Sequence, residues 1–262
     1  MSEHDGAFAP GTPCWSDLGV DDVGAARTFY TEVFGWDLQD GPPGAGGYVM
    51  ALLDGRPVAG IGPTMGDGRP TGWTSSLATA DADATAATVT AAGGSVLTAP
   101  FDVVDAGRMA TAVDPTGVAF GLWQAGAHHG YGRVNEAGAP CWNETHTTDA
   151  ETAKAFYSAV FGYRFDVFGD PSEPYAVAKL PGAGPDADPV AGVFTPATGF
   201  PEGVPGYWMT WFGTHDTDAT VADVVAHGGT VVTEPTDSPF GRSSIVLGPQ
   251  GERFGVIAVP TS

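Results

Sequence analysis

Alanine-rich stretches recur four times along the chain, and short runs rich in Val, Trp, Tyr and Phe separate them. Each stretch begins at an aspartate suited to capping a helix N-terminus and ends at a glycine suited to the left-handed residue after a helix. The intervening runs, such as residues 48–53, 207–212 and 244–247, are typical of strands. Four helices are therefore predicted, bounded by Asp22 and Gly35, Asp81 and Gly94, Asp149 and Gly162, and Asp216 or Asp218 and Gly229.

The chain also repeats on a larger scale. Residues 11–38 align with residues 138–165 at an offset of 127, and 11 of these 28 positions are identical. Each half contains two β-α-β-β-β units of roughly 60 residues, too small for a robust core alone, so the units must pair. We expect one domain at 1–124 and a second at 138–262, joined by a Gly-rich linker at 125–137.

Charge narrows the classes of partner. Of the 262 residues, 10 are basic and 31 are acidic, which gives a formal net charge of −21. Such an acidic surface repels phosphate backbones and anionic lipid, so we expect neither nucleic-acid nor membrane partners. The chain has only two cysteines, no long apolar run and no signal-like N-terminus, and we therefore expect it to be cytoplasmic. The partner that we expect is a small molecule.

Several motifs together resemble one known family. A strand is followed by D-x(6)-FY-x(3)-FG, later by a GG pair and by the closing segment DPTGVAFGLW. These features resemble the vicinal oxygen chelate superfamily, which includes glyoxalase I, bleomycin-resistance proteins and extradiol dioxygenases, and especially its two-domain actinobacterial glyoxalase-like members. The resemblance implies an α+β fold in which two βαβββ units form a U-shaped mixed sheet with flanking helices around a cavity. Since fused domains can mimic the dimer of single-domain members, a monomer and a homodimer both remain open.

The resemblance also implies where metal ligands would stand. In metal-using members they come from the first strand, the fifth strand and the end of the closing segment. Those places hold residues that do not suit a hard divalent ion, namely Trp15, Thr74 and Gly121 in the first half and Trp142, Met209 and Gly255 in the second. We therefore expect no metal ion and no cofactor.

Strand alternation predicts which side chains share the cavity face. Trp15 and Asp17 share it in the first half, and Trp142, Glu144 and His146 share it in the second. Glu144 and His146 are candidate catalytic residues, because a tuned carboxylate and imidazole can abstract and return a proton. The alternative is structural: Glu144 bonds to backbone and His146 is half exposed at the strand end.

Aromatic and basic residues supply the candidate ligand contacts. Trp15, Trp142, Met209 and Trp211 suit a flat apolar molecule, with Asp17 as a polar anchor. Arg108 and Arg242 repeat between the halves and are candidates for an anion clamp; the alternative is that each pairs with local carboxylates.

Three functions follow from these features. The first is a metal-independent glyoxalase/bleomycin-resistance-like protein that binds an aromatic or hydrophobic metabolite or antibiotic in a Trp-lined cavity. The alternative is a metal-free enzyme of secondary metabolism, an isomerase, cyclase or hydroxylase-like protein, with Glu144 and His146 as acid and base. A glyoxalase-type lyase is the weakest of the three, because the metal ligands are missing.

Overall fold

The chain folds into two eight-stranded mixed sheets with four α-helices, which confirms the expected α+β fold. The computed structural model describes residues 2–42, 44–64, 71–169, 175–184, 186–196, 200 and 206–260. None of the helices in this part of the chain is long and apolar enough to cross a membrane.

The first half supplies one sheet, in the order β3-β4-β5-β2-β6-β9-β8-β7. Antiparallel pairing of β2 with β6 joins its two βαβββ units. Its elements are β1 (Ser2–Glu3), β2 (Pro13–Val20), α1 (Val23–Phe34), β3 (Asp37–Asp40), β4 (Val49–Leu53), β5 (Arg56–Pro63), β6 (Gly72–Ala78), α2 (Ala82–Ala91), β7 (Ser95–Val103), β8 (Gly107–Val113) and β9 (Ala119–Ala125).

The second half repeats this topology in the order β12-β13-β14-β11-β15-β18-β17-β16. Its elements are β10 (Arg133–Val134), β11 (Pro140–His146), α3 (Ala150–Phe161), β12 (Arg164–Phe168), β13 (Tyr175–Lys179), β14 (Ala191–Phe194), β15 (Tyr207–Thr214), α4 (Thr217–Ala226), β16 (Thr230–Ser238), β17 (Gly241–Leu247) and β18 (Arg253–Ala258). Strand β10 lies in the predicted linker and pairs with β1, so the N-terminal segment and the linker are held together.

All four helices begin at the predicted aspartates, whose side chains accept a backbone N–H three residues further on. Gly35 and Gly162 take the left-handed conformation expected after α1 and α3. Helices α2 and α4 end slightly earlier than predicted. Gly93 and Gly228, rather than the glycines that follow them, have positive φ at 91° and 92°.

The core lies where the helix-bearing faces of the two sheets meet. Phe29 and Tyr30 of α1 pack against Phe254 of β18, with ring centroids 6.3 and 5.8 Å apart. On the other side, Phe156 and Tyr157 of α3 pack against Phe120 of β9 at 6.0 and 5.7 Å. Each half thus buries its helix face against the other half. We call the opposite face of each sheet its open face.

Candidate functional site

A carboxylate held by aromatic donors lies on the open face of the first sheet. The hydroxyl of Tyr48 donates to Oδ1 of Asp17 over 2.6 Å, and the indole Nε1 of Trp15 lies 3.0 Å from both of these oxygens. Gly60 permits this approach, because a Cβ there would lie 1.7 Å from the Tyr48 hydroxyl. Strand alternation therefore placed Trp15 and Asp17 on one face correctly.

The linker covers this first open face. His128 packs edge-on against the Trp15 ring at 4.4 Å and also contacts the Trp123 ring at 5.6 Å. Trp15 is left 3% exposed, and Phe8 and Tyr131 pack into the same apolar cluster. Burial, followed by the charge of His129, lowers the pKa of His128 to about 4, so the imidazole is neutral at pH 7. The protein's own chain fills the space above Trp15.

The same arrangement recurs 127 residues later on the second open face. Trp142 Nε1 donates to the Tyr175 hydroxyl over 2.7 Å, and that hydroxyl donates to Oε2 of Glu144 over 2.6 Å. Gly192 is needed here, since a Cβ at this position would lie 2.3 Å from the Tyr175 hydroxyl and 2.8 Å from the Glu144 Cβ. The second copy differs from the first in what surrounds its carboxylate.

Two further side chains bind Glu144. The indole Nε1 of Trp211 donates to its Oε1 over 2.9 Å, and His146 Nε2 lies 2.8 Å from the same oxygen. Glu144 is 6% exposed and His146 is 3% exposed. Burial by itself raises the pKa of Glu144, but the contacts with His146, Tyr175 and Trp211 outweigh it and bring that pKa below its usual value. Glu144 is therefore an anion at neutral pH.

Aromatic rings and one arginine surround His146. The Tyr207 ring stacks on the imidazole at 4.9 Å, with its hydroxyl 3.4 Å from Nδ1, and Phe194 packs edge-on at 5.2 Å. The guanidinium of Arg253 lies over the Tyr207 ring, 5.4 Å from its centroid. Burial raises the pKa of Tyr207 despite the nearby Arg253 charge, so its hydroxyl stays protonated. These groups give the second open face a polar centre with an aromatic border.

The residues present do not suit the divalent metal of this kind of fold. Strand register places Trp142, Trp211 and Gly255 in one row, with Met209 directly opposite Glu144. In the first sheet the corresponding row is Trp15, Ser76 and Gly121. The expectation that Thr74 stands in this row is therefore corrected, because Thr74 pairs with Asp17. Across the described residues there is no cluster of three or more His, Cys, Asp or Glu side chains able to hold a metal ion.

Arg108 and Arg242 lie away from both open faces. Arg108 pairs with Asp83 of α2 and with Asp102, and Arg242 pairs with Asp218 of α4 and with Asp237. Both guanidinium groups are thus directed to the helix side and neutralised by local carboxylates. This corrects the expectation of an anion clamp and supports the local pairing that was its alternative.

Of the remaining predicted site residues, the second sheet brings together Trp142, Glu144, His146, Met209 and Trp211, whereas Trp15 and Asp17 lie on the other sheet. Met209 is fully buried on the same face as Glu144. Sequence reasoning did not assign Tyr175 or Arg253 to the site. The 127-residue offset from Tyr48 signals the first, and alternation back from Gly255 signals the second.

Comparison with known proteins identifies the kind of fold and its relatives. A family model described as the glyoxalase/bleomycin resistance protein/dioxygenase superfamily matches residues 15–122 and again 145–256. A putative glyoxylase, CFP32, of Mycobacterium tuberculosis is 43% identical over 258 residues, covering 95% of each chain. The anthracycline biosynthesis protein DauV of a Streptomyces species is 38% identical over 265 residues, covering 95% of this chain and 94% of that protein.

Solved structures share the architecture at low sequence identity. The 2,2',3-trihydroxybiphenyl 1,2-dioxygenase of Sphingomonas wittichii superposes with a TM-score of 0.65 at 15% identity, covering 95% of this chain and 91% of that one. A Mn(II)-bound glyoxalase of Novosphingobium aromaticivorans also gives a TM-score of 0.65 at 15% identity, covering 95% and 83%. At this identity the likeness establishes the fold alone.

Proposed function

This chain belongs to the glyoxalase/bleomycin resistance protein/dioxygenase superfamily, and from that premise we propose that it binds a planar aromatic small molecule on its second open face, without a metal ion. The observation that carries the proposal is the difference between the two open faces. The linker covers the ring of Trp15 on the first, whereas the second has a buried carboxylate bordered by Trp142, Tyr207 and Trp211.

Aromatic borders suit a flat ligand for physical reasons. Indole and phenol rings give large contact areas at low conformational cost and stack on other π systems. The ring of Tyr207 already stacks on the His146 imidazole with centroids 4.9 Å apart, which supports stacking as the mode of contact on this face. Relatives named for anthracycline biosynthesis favour a polycyclic aromatic product of secondary metabolism, because anthracyclines contain a planar anthraquinone.

A titration tests the proposal. Quenching of tryptophan fluorescence by 1,8-dihydroxyanthraquinone should give a saturable curve, and a saturated tricycle of similar size should not. Trp142→Leu should weaken binding about tenfold or more, whereas Trp15→Leu, the matched change on the covered face, should leave it within about twofold. Trp142→Phe and Trp15→Phe serve as milder variants if the leucine variants fold poorly. An equal loss of affinity in the Trp142 and Trp15 variants would contradict the placement of the ligand on the second open face.

Metal independence has its own measurement. Protein dialysed against a chelator and shown by elemental analysis to hold no transition metal should bind with unchanged affinity. Loss of binding that returns on adding Mn²⁺, Fe²⁺ or Ni²⁺ would overturn the metal-free part of the proposal.

A second candidate function is acid–base catalysis on the same ligand. The contact between His146 Nε2 and Glu144 Oε1, at 2.8 Å with both side chains buried, favours it, because the pair can hold and return one proton. Glu144→Gln and His146→Gln should then abolish turnover of the bound aromatic while changing its affinity less than about tenfold, or 1.4 kcal/mol. Full turnover in both variants would rule this pair out as the catalyst.

A further inference from the structure

Arg253 differs from the other arginines that the structure describes. Arg27, Arg56, Arg108, Arg133 and Arg242 each form ion pairs with one or two carboxylates. Arg164 instead donates to the backbone carbonyl of Ala183. Arg253 has no carboxylate within 4 Å among the described residues, and it contacts both the ring and the hydroxyl of Tyr207. Of the seven arginines that the structure describes, only Arg164 and Arg253 have no carboxylate partner among the described residues, although the chain has 31 acidic residues against 10 basic ones.

The strand register brings Arg253 to the second open face. It lies two residues before Gly255, which pairs with Trp211, so alternation puts both on the face that carries Glu144. Tyr207 connects it to the polar centre, because the same ring contacts both the Arg253 guanidinium and the His146 imidazole. The corresponding position in the first sheet, at the 134-residue offset of Gly255 from Gly121, is Ala119. The position equivalent to Arg253 in the first sheet therefore carries no charge.

We propose that Arg253 binds an ionised oxygen, a carboxylate or phenolate, on the planar aromatic ligand, so that this site selects aromatic anions. The inference rests on the function proposed above. A guanidinium presents donors in a planar fork that matches such oxygens, and it remains charged at every relevant pH. The field of the whole chain, at a net charge of −21, opposes an approaching anion, and Arg253 supplies the local attraction that offsets it.

The test compares two probes that differ in one charge. Anthraquinone-2-carboxylate and its methyl ester share the same rings, so their affinity ratio measures recognition of the anionic oxygen. Wild-type protein should prefer the acid about tenfold or more, and this preference should shrink as salt is added. Arg253→Gln should abolish this preference by lowering the affinity for the acid while leaving the affinity for the ester unchanged. Arg253→Lys should keep part of the preference.

Arg242→Gln is the matched control. It removes an arginine from the neighbouring strand of the same sheet, but one held on the helix side by Asp218 and Asp237. The acid preference should survive in this variant. Equal binding of acid and ester by the wild type, or equal weakening of both probes in Arg253→Gln, would overturn the role of Arg253 while leaving the aromatic site intact. Failure of the wild type to bind either probe would instead refute the site itself.

Discussion

Tyr175→Phe tests the carboxylate centre with the smallest possible change, the loss of one oxygen. That hydroxyl accepts from Trp142 at 2.7 Å and donates to Glu144 at 2.6 Å. Tyr48→Phe is its matched control, because Tyr48 donates to the carboxylate of the first sheet at the same distance of 2.6 Å. The two substitutions therefore remove the same bond from two places that differ in what covers them.

The expected losses follow from the bonds removed. A hydrogen bond to a charged group contributes about 1.5–3 kcal/mol, so Tyr48→Phe should lower the free energy of unfolding by about that amount. Trp15 keeps a second acceptor in Asp17, whereas Trp142 loses the one acceptor recorded for it in the described structure. Tyr175→Phe should therefore cost about 1 kcal/mol more. Tyr175→Phe should also weaken binding of the aromatic ligand, whereas Tyr48→Phe should leave that binding unchanged.

The effect should depend on pH with a defined sign. The pKa of Glu144 lies below its unfolded value of 4.5, so its contribution to stability is present above that value and is lost as the pH falls through the folded pKa. Losing the charge-assisted bond from Tyr175 raises the pKa of Glu144 in the folded state. The gap between wild type and Tyr175→Phe, measured by urea unfolding, should thus be largest near pH 7 and narrower toward pH 4. A gap that stays constant or widens on acidification would refute the reasoning.

Three further outcomes follow from local geometry. Gly192→Ala should disrupt ligand binding and lower the free energy of unfolding, because the added Cβ would lie 2.3 Å from the Tyr175 hydroxyl. Gly184→Ala is the control and should be neutral, because a Cβ there meets nothing within 4 Å. Equal effects of the two substitutions in calorimetry would contradict this reasoning. Cys14 and Cys141 should react with a thiol reagent at pH 8 only after unfolding, because burial raises the pKa of both thiols, that of Cys141 to about 12. Rapid labelling of either cysteine in the native protein would refute this prediction. Burial raises the pKa of Glu252, so the wild type loses stability as the pH rises from about 4.5 through that raised pKa. Glu252→Gln lacks this titration and should therefore become more stable relative to the wild type over the same pH range. Urea unfolding measured across this range would refute the argument if the relative stability of the variant fell instead.

Local pattern determined much of this protein. Four aspartates with a following glycine predicted the helices, and the 127-residue repeat predicted two copies of one βαβββ architecture. Alternation, which has a period of two residues in any strand, predicts Trp142, Glu144 and His146 on one face, and the strand register agrees. These properties are readable because they depend on neighbours in sequence.

Tertiary structure decided which copy the linker covers and what each carboxylate contacts. Nothing local predicts that His128, more than a hundred residues from Trp15, packs over that ring, or that Tyr175 approaches Glu144 because position 192 lacks a side chain. The same reason explains Arg108 and Arg242, whose repeated positions look functional in sequence but lie beside helix carboxylates in space. Contacts of this kind depend on how distant segments pack, and the periodicity of one segment carries no record of them.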